Sequence, residues 1–417
     1  MNRQIAPEIK NINSLKTGFP VIEKKLLRIP SEEGVFKLDI IFPNSGFGMF
    51  HDKFAALYSM DLLLSGTSKK SADEIAESID LLGGYVFKSC DYYQSSISIY
   101  GLEEQLERLI QVVKESYENC IYLEHELNHH KTRKISDLNI NLNKTSYLAG
   151  RGLNALLFGK NHPFSKAIDE STIHSITREQ LLEFKTNRLL NPYFIYTGSK
   201  SSKIESILNG LAYETNQSIE LDTEDNRDFD GNGESFILKE GSTQNSLRLG
   251  KFLPSRQDDD YFKISMFNLI LGGYFGSRLM KNIREEKGLT YGIHSSITPF
   301  KTYSVFKISS ECNSDLTPLV KEEIVKEIEL LQRELVGEEE MSTAKNYMLG
   351  NMLRNFDGAF NISDRLKSSL ELGTKEADKY FQSYFRAIHE INAEDIKKIA
   401  NNYFKIETLK DCISGEV

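Results

Sequence analysis

The sequence predicts an α+β protein of two similar domains, each a mainly antiparallel sheet with helices packed on one face. Three observations predict it. At 417 residues the chain exceeds one ordinary core. Strand patterns come as hairpins followed by runs of helix, the signature of segregated α and β layers. The same order of elements occurs twice, on either side of an acidic stretch. That stretch, 217–234, carries seven carboxylates against one Arg, ends in glycines, and has no apolar periodicity with which to bury itself. The expected division is therefore 1–216, a linker at 217–234, and 235–417. A repeat this long is a duplication, since solenoid periods are far shorter.

In the first half, Ser71-Ala-Asp-Glu74 reads as a capping box opening a helix that stops at Gly83-Gly84. Strand-like YVFKSC and the alternating SSISIY follow. Next comes an amphipathic helix whose stripe is Leu102, Leu106, Leu109, Ile110 and Val113. A second capping box at Thr177–Gln180 and the strand YFIYTG close the half. In the second half, a helix through Arg284, a turn at Gly288 and strands from Tyr291 and Tyr303 repeat the helix, glycine turn and hairpin. A helix from Asn392 and the strand IETLKDCIS end the chain in the same way.

Composition narrows the function. The chain is 40% hydrophobic and 27% charged, the balance of a globular protein. Its net charge of -9, without clustered Lys and Arg, argues against a nucleic-acid partner. No apolar run reaches membrane-spanning length, and the N-terminal segment lacks the apolar region of a signal peptide, so a cytoplasmic location without membrane association is expected. Cys90, Cys120, Cys312 and Cys412 form no C-x-x-C pair, and neither a disulfide framework nor a cysteine zinc site is signalled.

Three stretches share their order and spacing with one family. SGTSKKSADEIAESIDLLGG (65–84), FGKNHPFSKAIDESTIHSITREQLLEF (158–184) and LGGYFGSRLMKNIREEKGLTY (271–291) together resemble insulinase-type (pitrilysin-like, M16) zinc peptidases. The resemblance implies a chamber assembled from four such domains, supplied by one long chain or two half-length chains. In two-chain forms one subunit carries the zinc motif H-x-x-E-H, and the other lacks it and brings an Arg/Tyr pair in its second domain. The present chain resembles the latter.

At the motif's place stands Leu57-Tyr58-Ser59-Met60-Asp61. Zinc requires three N or O ligands and an open position for water. Leu57 binds no metal, Met60 is no base, and Asp61 alone keeps a ligand oxygen. The family's third ligand is a Glu on a later helix, for which Asp137 is the nearest candidate. Phe54, Leu57, Met60 and Leu64 instead have the spacing of a packed helix face. No metal is expected here, and the resemblance implies zinc in a partner. His125-Glu126-Leu127-Asn128-His129 matches H-E-x-x-H, the pattern of a stand-alone zincin, yet it lies in a strongly polar stretch without an evident third ligand.

Arg284 and Tyr291 are the expected substrate-binding pair, since the resemblance implies that they donate to peptide carbonyl oxygens beside the scissile bond. Gly272 and Gly273 end the preceding helix, and are expected to shape the chamber or touch substrate backbone. His162 reads as structural. The expectation is thus a non-catalytic subunit with no complete metal centre of its own. It pairs with a catalytic H-x-x-E-H chain of similar length and grips a peptide substrate. The alternatives are the zincin at 125–129 and a catalytically dead, peptide-binding or scaffold homodimer.

Overall fold

The computed structural model describes residues 26–213, 233–374 and 376–416. Most of the acidic stretch 217–234 lies outside them. Its last residue, Glu234, opens a strand and pairs with Lys321 at 2.5 Å. The first half runs β1 (Leu26–Pro30), β2 (Val35–Pro43), α1 (Lys53–Leu62), α2 (Ala72–Asp80), β3 (Tyr85–Cys90) and β4 (Gln94–Leu102). It continues through α3 (Leu106–Glu118), α4 (Glu124–Leu142), α5 (Thr145–Phe158), α6 (Glu170–Ser175) and α7 (Arg178–Arg188) to β5 (Tyr193–Gly198) and α8 (Ser202–Tyr213). The second half runs β6 (Glu234–Leu238), β7 (Gln244–Pro254), α9 (Tyr261–Asn268), two π-helical segments (Leu269–Gly273 and Met280–Glu286), β8 (Thr290–Pro299) and β9 (Tyr303–Asn313). Then follow α10 (Thr317–Arg333), α11 (Glu338–Asn355), α12 (Ala359–Glu371), α13 (Ala377–Glu390), α14 (Ala393–Tyr403) and β10 (Lys410–Gly415).

The two sheets have one topology. Their strand orders are β1-β5-β2-β4-β3 and β6-β10-β7-β9-β8, each with one parallel pair at one edge and antiparallel pairs elsewhere. The expected two-domain α+β duplication is what the chain forms. Both expected capping boxes are present, and a third joins Asn392 to Asp395. Local reading erred at two places. Leu102 ends β4 and is 46% exposed, so it is not on the stripe of α3. Ile406–Thr408 is a 3₁₀ turn before β10.

Each sheet is covered on one face by helices of its own half, and its opposite face receives a helix from the other. Helix α5 lies across β7, β10 and β6, while α12 lies on β5 and β1. Under α5, Leu153 and Leu157 join Val305, Tyr303 and Cys412 in one buried cluster. Under α12, Leu366 and Leu370 share a core cluster with Leu27, Ile29 and Ile195, and a buried polar group lies beside them. Lys37 and Asp39 of β2 are fully buried and 3.3 Å apart. Lys37 donates to Asp364 at 2.5 Å, and Asp39 accepts from Ser98 and from Ser363. Removing Lys37 leaves buried Asp39 with only the more distant Lys367 as a cation, a loss on the scale of about 3–5 kcal/mol for a broken buried pair.

Candidate functional site

Helix α1 starts at Asp52, whose side chain accepts from the amides of Phe54 and Ala55. Its inner face is the packed one the spacing predicts, with Phe54 and Met60 buried. Leu57 is only partly buried, and it lines a cavity. The helix ends at Leu62, so Leu64 joins the core from a left-handed turn with φ 74°.

Asp61 is not free to bind a metal. His130 Nε2 lies 3.2 Å from its carboxylate and Lys134 Nζ 3.0 Å. A guanidinium nitrogen of Arg133 sits 2.9 Å from His130 Nδ1. Guanidinium only donates, so Nδ1 is the acceptor and the ring proton is on Nε2, toward Asp61. Partial burial works to raise the Asp61 pKa, yet hydrogen bonds from His130 and Lys134 hold it at about 2. The ring of Tyr58 meets His130 edge-on at 4.7 Å. Lys88 of β3 donates to the carbonyls of Asp61 and Leu63 at 2.7 and 2.6 Å, capping the C-terminal end of α1, where a cation is favoured.

These residues do not fit zinc. Position 57 is hydrocarbon, position 60 carries no base, and an ammonium already faces the one carboxylate. The α4 side chains turned toward α1 are His130 and Lys134, whereas Asp137 is exposed. The H-E-x-x-H residues share this helix but point outward: His125 and His129 are exposed, with ring centroids 6.3 Å apart. Among the described residues no three His, Cys, Asp or Glu side chains come together as a metal-holding group. His162 is structural as expected: its ring stacks on Phe158, and Nδ1 accepts from the amide of Phe164.

The second half treats Arg284 and Tyr291 differently. Arg284 belongs to a π-helical segment, a feature frequent at functional sites. The amide of Lys287 bonds the carbonyl of Asn282, five residues back, at 3.1 Å. Gly288, at φ 62°, ends the segment in the left-handed conformation that also ends α2 at Gly83. From beneath, Asn282 donates to Glu323 and Glu327 of α10, both at 2.8 Å, and Lys287 pairs with Glu323. Just before the segment, Arg278 donates twice to Glu340 of α11 at 2.9 and 2.8 Å.

Arg284 stacks over Phe275 at 5.0 Å, and no carboxylate pairs with it among the described residues. Tyr291 is 85% exposed on β8, the edge strand of its sheet. A bulge between Thr290 and Ile293 turns it outward, stabilised by Thr290 Oγ1, which accepts from the Gly292 amide and donates to the Glu311 carbonyl. Gly272 is a packing glycine: a Cβ there would sit 2.8 Å from the Ser295 amide nitrogen, so only glycine lets this turn lie against β8. A Cβ at Gly273 would crowd the Asn268 carbonyl at 3.1 Å.

Sequence reasoning did not find His130 and Lys134 as partners of Asp61, although their i, i+4 spacing puts them on one face of α4. It also missed Lys88, and the Asn282 and Lys287 contacts that support Arg284.

The fold and these two sites define a duplicated α+β protein with a paired carboxylate in one half and an unpaired Arg beside an exposed Tyr in the other. Comparison with known proteins agrees. Residues 175–348 match the sequence family described as peptidase M16 inactive domain. An uncharacterized zinc protease of Rickettsia felis is 25% identical over 404 residues, 94% of this chain and 95% of its own. The crystal structure of a peptidase M16 inactive domain from Pseudomonas fluorescens superposes with a TM-score of 0.83 at 21% identity, over 96% of this chain and 98% of that one. The periplasmic protease PqqL from Escherichia coli superposes at 0.75 with 12% identity, 94% of this chain covering 44% of that one. The similarity along the chain is thus to M16, insulinase-type peptidases, and the family description matched over residues 175–348 is the inactive domain. Among its described residues no helix is long and apolar enough to cross a membrane.

Proposed function

We propose that this chain is the non-catalytic, Arg/Tyr-bearing subunit of a two-chain M16 zinc peptidase. Its partner is a chain of similar length that carries H-x-x-E-H and the zinc. The observation that carries this reading is the contrast between the two sites. Asp61 is neutralised by His130 and Lys134, whereas Arg284 and Tyr291 are left without an ionic partner on a segment braced from below. The half-length match to a protease about twice as long fits a chain that supplies two of four domains.

In the assembled chamber the peptide adds as a strand to a sheet edge, so backbone pairing gives affinity and side-chain pockets give selectivity. Among the edge strands, β8 carries Tyr291 and β3 presents exposed Tyr85 and Phe87. Arg284 and Tyr291 donate to substrate carbonyls, and the partner's zinc activates the attacking water. The test is peptidase activity of the purified chain alone and mixed with the H-x-x-E-H protein. Activity in the mixture only, lost with Arg284→Ala, is expected. Zinc and activity in the chain alone would overturn the reading.

A further inference from the structure

The outer side of α1 faces a cavity of about 390 Å³, within the size range of small-ligand sites. Its charged lining is Lys53, Asp61, Lys134, Arg151 and Lys166. Asp61 is already matched by Lys134 and His130, so Lys53, Arg151 and Lys166 remain in excess, in a chain whose net charge is -9. Neither Lys53 nor Lys166 is paired with a carboxylate among the described residues. Lys53 Nζ instead bonds the Lys166 carbonyl at 3.3 Å and lies over the rings of Phe47 and Phe54 at 5.3 and 5.5 Å. Arg151 rests on the Tyr147 ring at 5.5 Å. The nearby carboxylate that responds to Arg151 is Asp169, the exposed cap of α6.

Lys53 is poorly placed for its own charge. It is the first residue of α1, at the positive end of the helix dipole, with no acidic residue in the first turn. Burial and then the nearby Lys166 charge bring its pKa down to about 8. A second cation adds to the field from the other half of the molecule. Lys307 of β9 donates to Asn154 at 2.7 Å and lies over the Phe164 ring at 5.4 Å, and both of those residues line the cavity. Asp52, the cap of α1, spends its carboxylate on the amides of Phe54 and Ala55, and like charges held together in excess of their counter-charges favour an anion between them. The rings of Phe54, Tyr147 and Phe164 suit an anion carried on an apolar stem.

We infer that this cavity is a carboxylate pocket, which takes an acidic group of an extended peptide bound by the chain, either an acidic side chain or the C-terminal carboxylate. The inference rests on the peptide-binding reading above and adds its charge preference. The closed slot then has a use: Lys134 replaces a metal as the cation beside Asp61, and neighbouring cations recruit the substrate's negative group.

The experiment is fluorescence anisotropy of the full chain with four N-terminally labelled decapeptides of one otherwise uncharged sequence. They carry a central Glu or Gln, each with a free or an amidated C-terminus. The expected result is at least about ten-fold tighter binding of one acidic form over the fully neutral peptide, and the Gln and amide arms identify which carboxylate is read. That preference is expected to vanish in Lys53→Gln and in Lys166→Gln, the second of which changes an exposed loop residue, while affinity for the neutral peptide persists. Equal binding of all four peptides, binding of none, or a preference that survives both substitutions overturns the pocket. Arg284→Ala separates the two readings. Loss of neutral-peptide binding without any acidic preference leaves the Arg/Tyr role standing and removes the pocket. An acidic preference with neutral binding unaffected by Arg284→Ala does the reverse.

Discussion

The two halves of this molecule have the same strand order and use it for opposite ends. After its second strand the first half places α1, whose one candidate ligand is matched by the Lys134 ammonium and the His130 ring N–H of α4. After its own second strand the second half places α9 and two π-helical segments, and there the polar contacts lie beneath the segment, at Asn282, Lys287 and Arg278, while Arg284 faces away from them. A charge satisfied inside the fold has little left for a ligand, since pairing has already offset its desolvation. A charge whose neighbours are satisfied, but which is itself unpaired, is held in place and available. The difference shows how one duplicated scaffold can pair its polar groups with one another in one half and leave an arginine unpaired in the other.

If Lys134 is what excludes a metal, ligands alone will not restore one. Leu57→His, Met60→Glu and Asp61→His together are expected to bind no zinc while Lys134 remains, because its ammonium, 3.0 Å from the Asp61 side chain that is replaced, holds a positive charge where the metal would sit. Adding Lys134→Glu supplies a carboxylate as the third ligand and is expected to bring about one zinc per chain, the stoichiometry of a single three-ligand site, measured by metal analysis after dialysis. Zinc in the triple variant would show that Leu57 and Met60 were the whole obstacle.

The next effect in size belongs to Arg284. Arg284→Ala is expected to lower kcat/KM of the two-chain mixture by about 100-fold or more, the scale seen when one donor to a developing oxyanion is removed. Tyr291→Phe removes a single neutral donor and is expected to lower it by roughly ten-fold. An unchanged rate in both variants would reduce the second half to a scaffold.

A smaller change tests the support. Asn282→Ala leaves Glu327 without its amide donor and Glu323 with only its lysine partners, Lys287 and Lys326. The expected loss is about 1–3 kcal/mol of stability, read as a lower denaturation midpoint. A kcat/KM deficit milder than that of Arg284→Ala should accompany it. A stability loss with full activity would mean that Arg284 does not depend on its π-helical support.

The smallest effect is on acid stability. The Asp61 pKa is depressed from 3.8 to about 2 in the fold. Its contribution is therefore present above about pH 4 and is lost as the pH falls toward 2. Asp61→Asn is expected to flatten denaturation midpoints across that window and to leave the pH dependence near neutrality alone. Identical acid profiles for both proteins would show that the pairing with His130 and Lys134 adds no net stability.

What could be read along the chain was local. Ser71 with Glu74 and Thr177 with Gln180 announce helix starts, because a capping box closes within four residues. Gly83 and Gly288 announce turns because both occupy positive φ. The duplication was visible for the same reason, as two runs of the same local signals. Leu57 and Met60 excluded zinc chemistry by residue type alone, and Arg284 and Tyr291 stood out through their REEKGLTY context.

Tertiary structure decided everything that joins distant segments. No periodicity foretells that α5 and α12 cover each other's sheets, or that Ser363 bonds Asp39 across 324 residues. Nor does sequence pattern tell His129 from His130: one turns to solvent and its neighbour to Asp61 because α4 has one face against α1. The cations of the cavity come from α1, α4, α5 and the loop after α5, each unremarkable in its own segment. Local propensities act over a few residues and are written in order, whereas a site's electrostatics depends on through-space distance, which exists only once the chain has folded.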